Sequence, residues 1–549
     1  MKAAELFVRC LEAEGVEYVF GVPGEENADL MMALQDSDIN FVLARHEQGA
    51  AFMADVYGRL TGEPGVCLGT LGPGATNLVT GVADANLDRA PLVAITGQAD
   101  IRRQHKESHQ FMDVVGMFEP ITKRTTPIIH PANIPEVVRK AFKLAKMEKP
   151  GACHIELPED IARSEVDSLR PVQPKLPRRP VPDEKVIGQA WDMIRQAKRP
   201  VILAGNGTIR KRASKQLRLF CDITGMGVIT TFMGKGAVAR DAPYSLFTVG
   251  LQARDLIWKA MHDADLVITV GYDLIEYHPQ MWNSNGDKPI VHMDFLPAEV
   301  DEHYEVGVEV VGDLAHALWM LCERAELDNT SFDTAFYEKT HRLMLEDIAE
   351  HSEDDAEGAL KPQKVLWDVR EAMGPHDILL SDVGAHKMWI ARYYHCDEPN
   401  TCIISNGFAS MGIALPGAIG AKLAHPDSNV LAICGDGGFL MNVQDLETAR
   451  RLNLPIVVMI WEDGGYGLIK WKQDNAFGRH TDLDFGNPDF VALAESFDCI
   501  GVRVERSAEL SGALKAAFAA DRPTVITLPI DYRENKKLTG RLGNIESTL

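Results

Sequence analysis

The sequence is short of positive charge. Its 549 residues hold 56 Lys and Arg against 79 Asp and Glu, a net charge of −23. That balance argues against nucleic acid as a partner and against an anionic membrane surface. A small anionic substrate would have to be met by local cations or N–H donors working against the field of the whole chain. The nine cysteines form no CxxC pair, and their number is odd. Free, buried thiols in a reducing, cytoplasmic compartment are therefore expected. No apolar run reaches the ~18 residues of a membrane span, so none is predicted. The opening MKAAELFVRCLEAEG alternates apolar and charged residues like an amphipathic helix and lacks the apolar core of a signal peptide. A dinucleotide fingerprint is also missing from the middle of the chain. Gly205-Asn206-Gly207 is not GxGxxG, and a lone GxG is weak evidence.

What is present is a chain of ordinary globular composition, 46% hydrophobic and 25% charged. Its length suggests about three domains. Residues 1–165 alternate predicted helices and strands with short links, which implies a parallel, doubly wound sheet. Residues 169–183, LRPVQPKLPRRPVPD, read as a linker. A second α/β segment follows over 184–330, and a third over 361–535. Residues 327–360 are acidic and predict a solvated helix and linker.

The stretch around which the chain is organised is LAICGDGGFLMNVQDLETARRLNLPIVVMIWEDGGYG. The apolar run Val430 to Cys434 ends in a glycine-rich turn holding Asp436. A helix is predicted over Leu440 to Leu452, and a second apolar run, Pro455 to Trp461, ends in a turn holding Asp463. This is a β-α-β unit whose strands end at one edge of a parallel sheet, where such sheets bind ligands. The two aspartates are 463 − 436 = 27 residues apart, one crossover. Two hard oxygen ligands plus a backbone carbonyl suit Mg2+, usually completed by substrate phosphates. Gly437, Gly438, Gly464 and Gly465 let backbone N–H groups approach phosphate oxygens. The local reading is a metal-bridged diphosphate site.

GDG followed after about 26 residues by an acidic, glycine-containing turn resembles the thiamine-diphosphate-binding motif. The resemblance implies Asp436, Asp463 and the Gly465 carbonyl as Mg2+ ligands, with Gly437, Gly438 and Tyr466 among the cofactor contacts. Glu462-Asp463 replaces the common Asn-Asn or Asn-Asp. ARHEQGAAFMADVYGR and TLGPGATNLVTGVADANLDRAPLVAITGQ are similar to the acetohydroxyacid synthase branch of that family. By position, Glu47 would bond the cofactor pyrimidine and drive its activation. Read alone, Glu47 is a carboxylate favoured by a helix dipole. Ser410-Met411-Gly412 matches the segment in which a methionine props the cofactor into a bent shape, which implies Met411 and the Ala409 carbonyl. His386 would touch the diphosphate. HQFMDVVGMFEPITK is similar to a substrate-side loop, which implies Gln110 and Lys123 as acceptor contacts. His105 and His109 lack a third ligand for a metal. LIKWKQDNAFGRHTDLDFGNPDF reads as a mobile substrate lid, with Trp471, Lys472 and Gln473 as specificity candidates.

The resemblance covers nearly the whole chain and implies three α/β domains: pyrimidine-binding, central and pyrophosphate-binding. VGYDLIEYHPQMWN and HMDFLPAEVDEHYEVGVEVVGD look like the FAD-free, catabolic acetolactate synthases, so no flavin is expected. The implied reaction decarboxylates pyruvate and joins its two-carbon fragment to a second pyruvate, giving 2-acetolactate and CO2. The implied assembly is a dimer at least and usually a tetramer. A non-ligating 2-keto acid decarboxylase, or a carboligase with another acceptor, stays open. A cofactor-binding regulatory protein would have no use for Glu47.

Overall fold

The computed structural model describes residues 1–175, 179–210, 213–250, 256–355 and 358–540. The end of the chain and the middle of the predicted linker lie outside the described residues. Three six-stranded parallel sheets make three α/β layers. The first holds β1 (Tyr18–Gly21), β2 (Asn40–Leu43), β3 (Gly65–Gly69), β4 (Leu92–Gln98), β5 (Arg124–Pro127) and β6 (Ala152–Pro158), in the order β2-β1-β3-β4-β6-β5. The second holds β7 (Pro200–Ala204), β8 (Gly227–Thr230), β9 (Ser245–Thr248), β10 (Leu266–Val270), β11 (Ile290–Asp294) and β12 (Val308–Val311), in the order β12-β11-β10-β7-β8-β9. The third holds β13 (Ile378–Ser381), β14 (Cys402–Ile404), β15 (Val430–Gly435), β16 (Val457–Glu462), β17 (Ile500–Arg503) and β18 (Thr524–Pro529), in the order β14-β13-β15-β16-β18-β17.

The strands β3, β7, β10 and β11 are buried at every residue, as helices on both sheet faces require. The outer sheets share one strand order. Each reverses direction between its first and third strands, and such a reversal opens a crevice at the carboxyl edge. The central sheet has the order of a dinucleotide-binding fold.

Two sequence expectations change. The helix predicted over Leu440 to Leu452 is broken into Asp436–Met441 and Asp445–Arg451. The break falls at Asn442, whose carboxamide reaches across to the Gly412 carbonyl at 2.8 Å. The acidic segment is not simply solvated. Its helix Ala335–Ala349 sends Tyr337, Met344 and Ile348 into the core. All nine cysteines are buried and unpaired.

The first and third domains meet along the helices Glu47–Thr61 and Ala414–Ala424. Close approach needs small residues there. A Cβ on Gly417 would lie 2.8 Å from Val56, and one on Gly420 would strike the Met53 carbonyl. Charge joins the same domains. The Arg59 guanidinium bonds Asp55 at 2.8 Å, Asp84 at 3.1 Å and Asp88 at 2.8 Å, with all three carboxylates fully buried. Asp84 accepts from the Ser405 hydroxyl at 2.7 Å, and Asp88 from the backbone N–H groups of Asn406 and Gly407. Burial alone would lower the Arg59 pKa, but the three carboxylates outweigh it and hold the cation firmly charged. Removing one partner of such a buried cluster strands the others, at a cost of about 3–5 kcal/mol. Arg59→Leu is expected to lower stability by that order, read as a lower thermal midpoint than wild type.

Candidate active site

Glu47 opens the helix Glu47–Thr61, just past the carboxyl end of β2. His46 caps that helix by accepting from the Gln48 N–H at 3.1 Å. Glu47 is 8% exposed, and its carboxylate accepts from the Asn77 carboxamide at 2.9 Å. The Gly72–Gly74 turn lies beside it: a Cβ on Gly74 would come within 3.4 Å of the carboxylate. Gln110 rests on that turn, at φ 58°, so closely that a Cβ on Gly72 would sit 2.9 Å from it. Glu47 and Gln110 thus share the carboxyl edge of the first sheet.

Lys123 does not share it. It lies at the amino edge, where its N–H bonds the Ala152 carbonyl at 2.7 Å. Its ammonium is taken by the carbonyls of Met147 and Lys149, at 2.6 and 2.7 Å. Burial pushes its pKa down to about 8. The direction of β5 decides this placement, and the sequence segment alone did not show it.

In the third domain, β13 and β15 flank the reversal of strand order. Past β15, one oxygen of Asp436 accepts from the Gly437 N–H at 2.8 Å. The other accepts from the N–H groups of Asp463 and Gly464, at 3.1 and 2.8 Å, and from the Asn487 carboxamide at 2.8 Å. The two acidic turns are therefore locked onto one carboxylate. Burial, and then the Asp436 charge, push Asp463 up to about 7. The Gly465 carbonyl accepts from Gly467 N–H at 3.1 Å, and the Lys470 ammonium lies against Gly465 and pairs with Asp484. Tyr466 and Phe485 pack edge to face over Gly437.

Past β13, Asp382 is fully buried. One of its oxygens accepts from Val383 and Gly412 N–H groups, at 2.7 and 2.8 Å, and the other has no partner. Burial raises its pKa to about 7 against the pull of those two N–H groups. A Cβ on Gly438 would lie 2.8 Å from the unpartnered oxygen. His386 is buried beside Gly435 and pushed down to about 4 by burial, so its ring is neutral near pH 7, and its Nε2 has no partner. Ala409 adopts φ 59° and Gly412 φ 86°, while Met411 between them is half-buried.

These features fit a metal-diphosphate group. The Asp436 carboxylate sits on the turn that carries Asp463, and the buried Asn487 Oδ1 and His386 Nε2 lack partners. Among the described residues no three His, Cys, Asp or Glu side chains could hold a metal by themselves. In the helix Gly467–Phe477, the Gln473 side-chain carbonyl accepts from Thr481 N–H at 2.8 Å, and Trp471 packs on the core with its Nε1 unpartnered. Sequence reasoning missed Asn77, Asp382, Asn442 and Asn487. Asn77 sits inside the quoted TLGPGATNLVTG segment. The others carry no local signal, because each acts on a distant turn.

Three family models match the chain. They are the thiamine pyrophosphate enzyme N-terminal TPP-binding domain over residues 1–117, the central domain over 187–321, and the C-terminal TPP-binding domain over 382–528. The chain belongs to the thiamine pyrophosphate enzyme family. Within it, the chain is 37% identical to the acetolactate synthase of Bacillus subtilis, over 98% of this chain and 94% of that one. It is 36% identical to the catabolic acetolactate synthase of Raoultella terrigena, over 98% and 97%. A probable acetolactate synthase large subunit of Methanocaldococcus jannaschii is 36% identical over 99% and 95%.

Asp382 generates a pH prediction. Its native pKa of about 7 lies above its ordinary value of 3.8, so the folded state favours the protonated form. The Asp382 contribution to stability therefore falls as pH rises from about 4 to about 7 and then levels. Asp382→Asn removes that loss. Its thermal midpoint relative to wild type should climb across the same window, by the equivalent of at most about 4 kcal/mol.

Proposed function

We propose that the chain is an acetolactate synthase: it decarboxylates pyruvate and ligates the two-carbon fragment to a second pyruvate, releasing 2-acetolactate and CO2. The observation that carries this reading is one chain, aligned end to end with acetolactate synthases, in which a buried Glu47 and the Asp436–Asp463 pair each stand at the carboxyl edge of a doubly wound sheet. A non-ligating decarboxylase is not favoured by relatives of this kind.

Thiamine diphosphate would supply the electron sink for decarboxylation. Asp436, Asp463 and the Gly465 carbonyl would hold Mg2+. Gly437, Gly438, Tyr466 and the neutral His386 would line the diphosphate, and Ala409 and Met411 the remainder. Glu47 would hold a proton at the pyrimidine, kept in place by Asn77 and shielded from water. Gln110, on the same sheet edge, remains the candidate acceptor contact. Lys123 would require a site at the opposite edge.

No flavin is needed in this reading. The turn after β7, where a dinucleotide diphosphate would sit, already has its amides engaged. Asn206 N–H donates to the Glu276 carboxylate at 3.0 Å, Gly205 N–H to Val270 at 3.0 Å, and Gly207 N–H to Gly271 at 2.7 Å. Lys149 of the first domain reaches in to Asp273 and, at 3.9 Å, Asp294. A homodimer or homotetramer is supported by large apolar side chains exposed near the site segments, among them Leu43, Phe408, Met441 and Ile469. No described helix is long and apolar enough to cross a membrane, and nine unpaired thiols support a cytoplasmic location.

Incubation with pyruvate, thiamine diphosphate and Mg2+ should yield acetolactate, detected as acetoin after acid treatment; acetaldehyde as sole product would overturn the ligase reading. Glu47→Gln should lower kcat about 10²–10⁴-fold, and an unchanged rate would remove Glu47 from the mechanism. A second expectation is spectroscopic. The purified protein should show no flavin absorbance, and added FAD should leave its turnover unchanged.

A further inference from the structure

Two buried polar side chains at the carboxyl edge of the first sheet have no part in the chemistry described so far. Gln98 is the last residue of β4, and Glu156 lies near the end of β6. Thr96 pairs with Glu156 in the register of the two strands, so Gln98, two residues on, projects from the same face as Glu156. The Gln98 Nε2 donates to Glu156 Oε2 at 2.9 Å and to the Met112 carbonyl at 3.2 Å, while its Oε1 accepts from the Ala99 N–H at 2.9 Å. The three contacts fix one orientation, since a turned carboxamide would set its oxygen against two acceptors. Burial pushes the Glu156 pKa up to about 7, and the Gln98 N–H works against that by favouring the charged form.

Met112 stands near the end of the loop that carries Gln110. The start of that loop is tied down separately. The Ile101 N–H bonds Asp160 at 3.1 Å, the Gln104 carboxamide bonds the Ala99 carbonyl at 3.0 Å, and Arg103 bonds both Glu159 and Ser108 at 3.0 Å. Past Met112, Asp113 accepts from the Gly116 N–H at 2.8 Å, and the helix Val114–Phe118 buries Val114 and Phe118. Between these anchors Gln110 is exposed, resting on the Gly72–Gly74 turn at φ 58°. A residue other than glycine keeps that left-handed conformation only when its surroundings impose it. The bond from Gln98 to Met112 fixes the backbone two residues past Gln110, and it comes from the rigid end of a strand.

We propose that Gln98 and Glu156 are positioning residues for the acceptor: Glu156 aims the Gln98 carboxamide at Met112, and that bond holds Gln110 where the second keto acid binds. The proposal rests on the acetolactate synthase reading, in which Gln110 contacts the acceptor, and it names what sets that contact. It also separates the two halves of the reaction. Decarboxylation of the first pyruvate needs no acceptor. When the second pyruvate is misplaced, the two-carbon fragment takes up a proton and leaves as acetaldehyde, and no carbon–carbon bond forms. Loss of the Gln98 bond therefore changes what is made more than how fast pyruvate is consumed.

The test is the ratio of acetaldehyde to acetolactate, measured beside pyruvate consumption in the cofactor-loaded protein. Gln98→Met strands the Met112 carbonyl; it should raise the ratio about tenfold while consumption changes by less than about threefold. Glu156→Leu should act alike. Glu156→Gln, whose carboxamide oxygen still accepts from Gln98, should return the ratio to within about threefold of wild type. In a Gln110→Ala background Gln98→Met should add little, because both act at one contact. Hydrogen exchange of the unloaded Gln98→Met protein gives a reading independent of turnover: amides of residues 104–112 should exchange faster, and those of β4 and β6 should not. Should Gln98→Met fail to fold, Gln98→Asn, one methylene shorter, is read in its place. An unchanged ratio in folded Gln98 and Glu156 variants, or effects of Gln98→Met and Gln110→Ala that simply multiply, would overturn the proposal. Acetaldehyde alone from the wild type is a different result, the failure of the synthase reading itself.

Discussion

One guanidinium holds the molecule's working parts in register. Arg59 brings together Asp55, Asp84 and Asp88, and two of those carboxylates reach out of the first domain to grip Ser405, Asn406 and Gly407 of the third. A buried cluster of this kind contributes little net attraction but imposes a strict geometry, because every carboxylate left alone is a large penalty. The gripped loop leads at once to Ala409 at φ 59°, a conformation that costs a non-glycine residue about 1–3 kcal/mol and persists only when its surroundings over-determine it. Asp382 and Asn442 supply the other half of that clamp from within the third domain. The backbone carrying Ala409 and Met411 is therefore set from two domains at once.

The first and third sheets share a strand order, yet their carboxyl edges serve different chemistry. In the first, Glu47 begins a helix and is shielded with one carboxamide. In the third, Asp382, Asp436 and Asp463 crowd the edge. The consequence is visible in their protonation: burial lifts Asp382, and burial with Asp436 lifts Asp463, each to about 7. A divalent cation is the natural relief for such crowding, while a carboxylate shielded from water suits proton traffic. One fold yields both because the edge fixes where side chains stand, and the turn sequences decide what they are.

What the sequence made legible were features whose partners lie within one strand and its turn. Asp436 and Asp463 follow apolar runs directly, so their convergence could be read from the spacing. Glu47 and the Gly72–Gly74 turn belong to one such edge. Features whose partners lie elsewhere were not legible. Asn442 breaks a helix that its own periodicity would continue, because its carboxamide satisfies Gly412 of another loop. Tyr337 and Met344 are drawn out of an acidic stretch by a core that the stretch itself does not announce. Asn487 reaches Asp436 across 51 residues, with nothing in its neighbourhood to mark it.

Lys123 shows the same limit and explains the central domain. A parallel sheet has two edges, and the first domain turns its amino edge toward the second. Arg89 and Lys149, from that edge, pair with Asp273 at the ligand edge of the central sheet, and Asn206 returns a hydrogen bond to the Asp88 carbonyl at 3.2 Å. The carboxylates that follow β10 would repel a diphosphate; paired with cations from a neighbour, they become an interface. Glu276 completes the change by capping Asn206 N–H, the amide that a dinucleotide would otherwise claim. The central domain, which has the strand order of a nucleotide binder, thus meets the first domain through its own ligand edge. The Lys123 ammonium, spent on the Met147 and Lys149 carbonyls, stands at that amino edge and not in the crevice where the candidate chemistry lies.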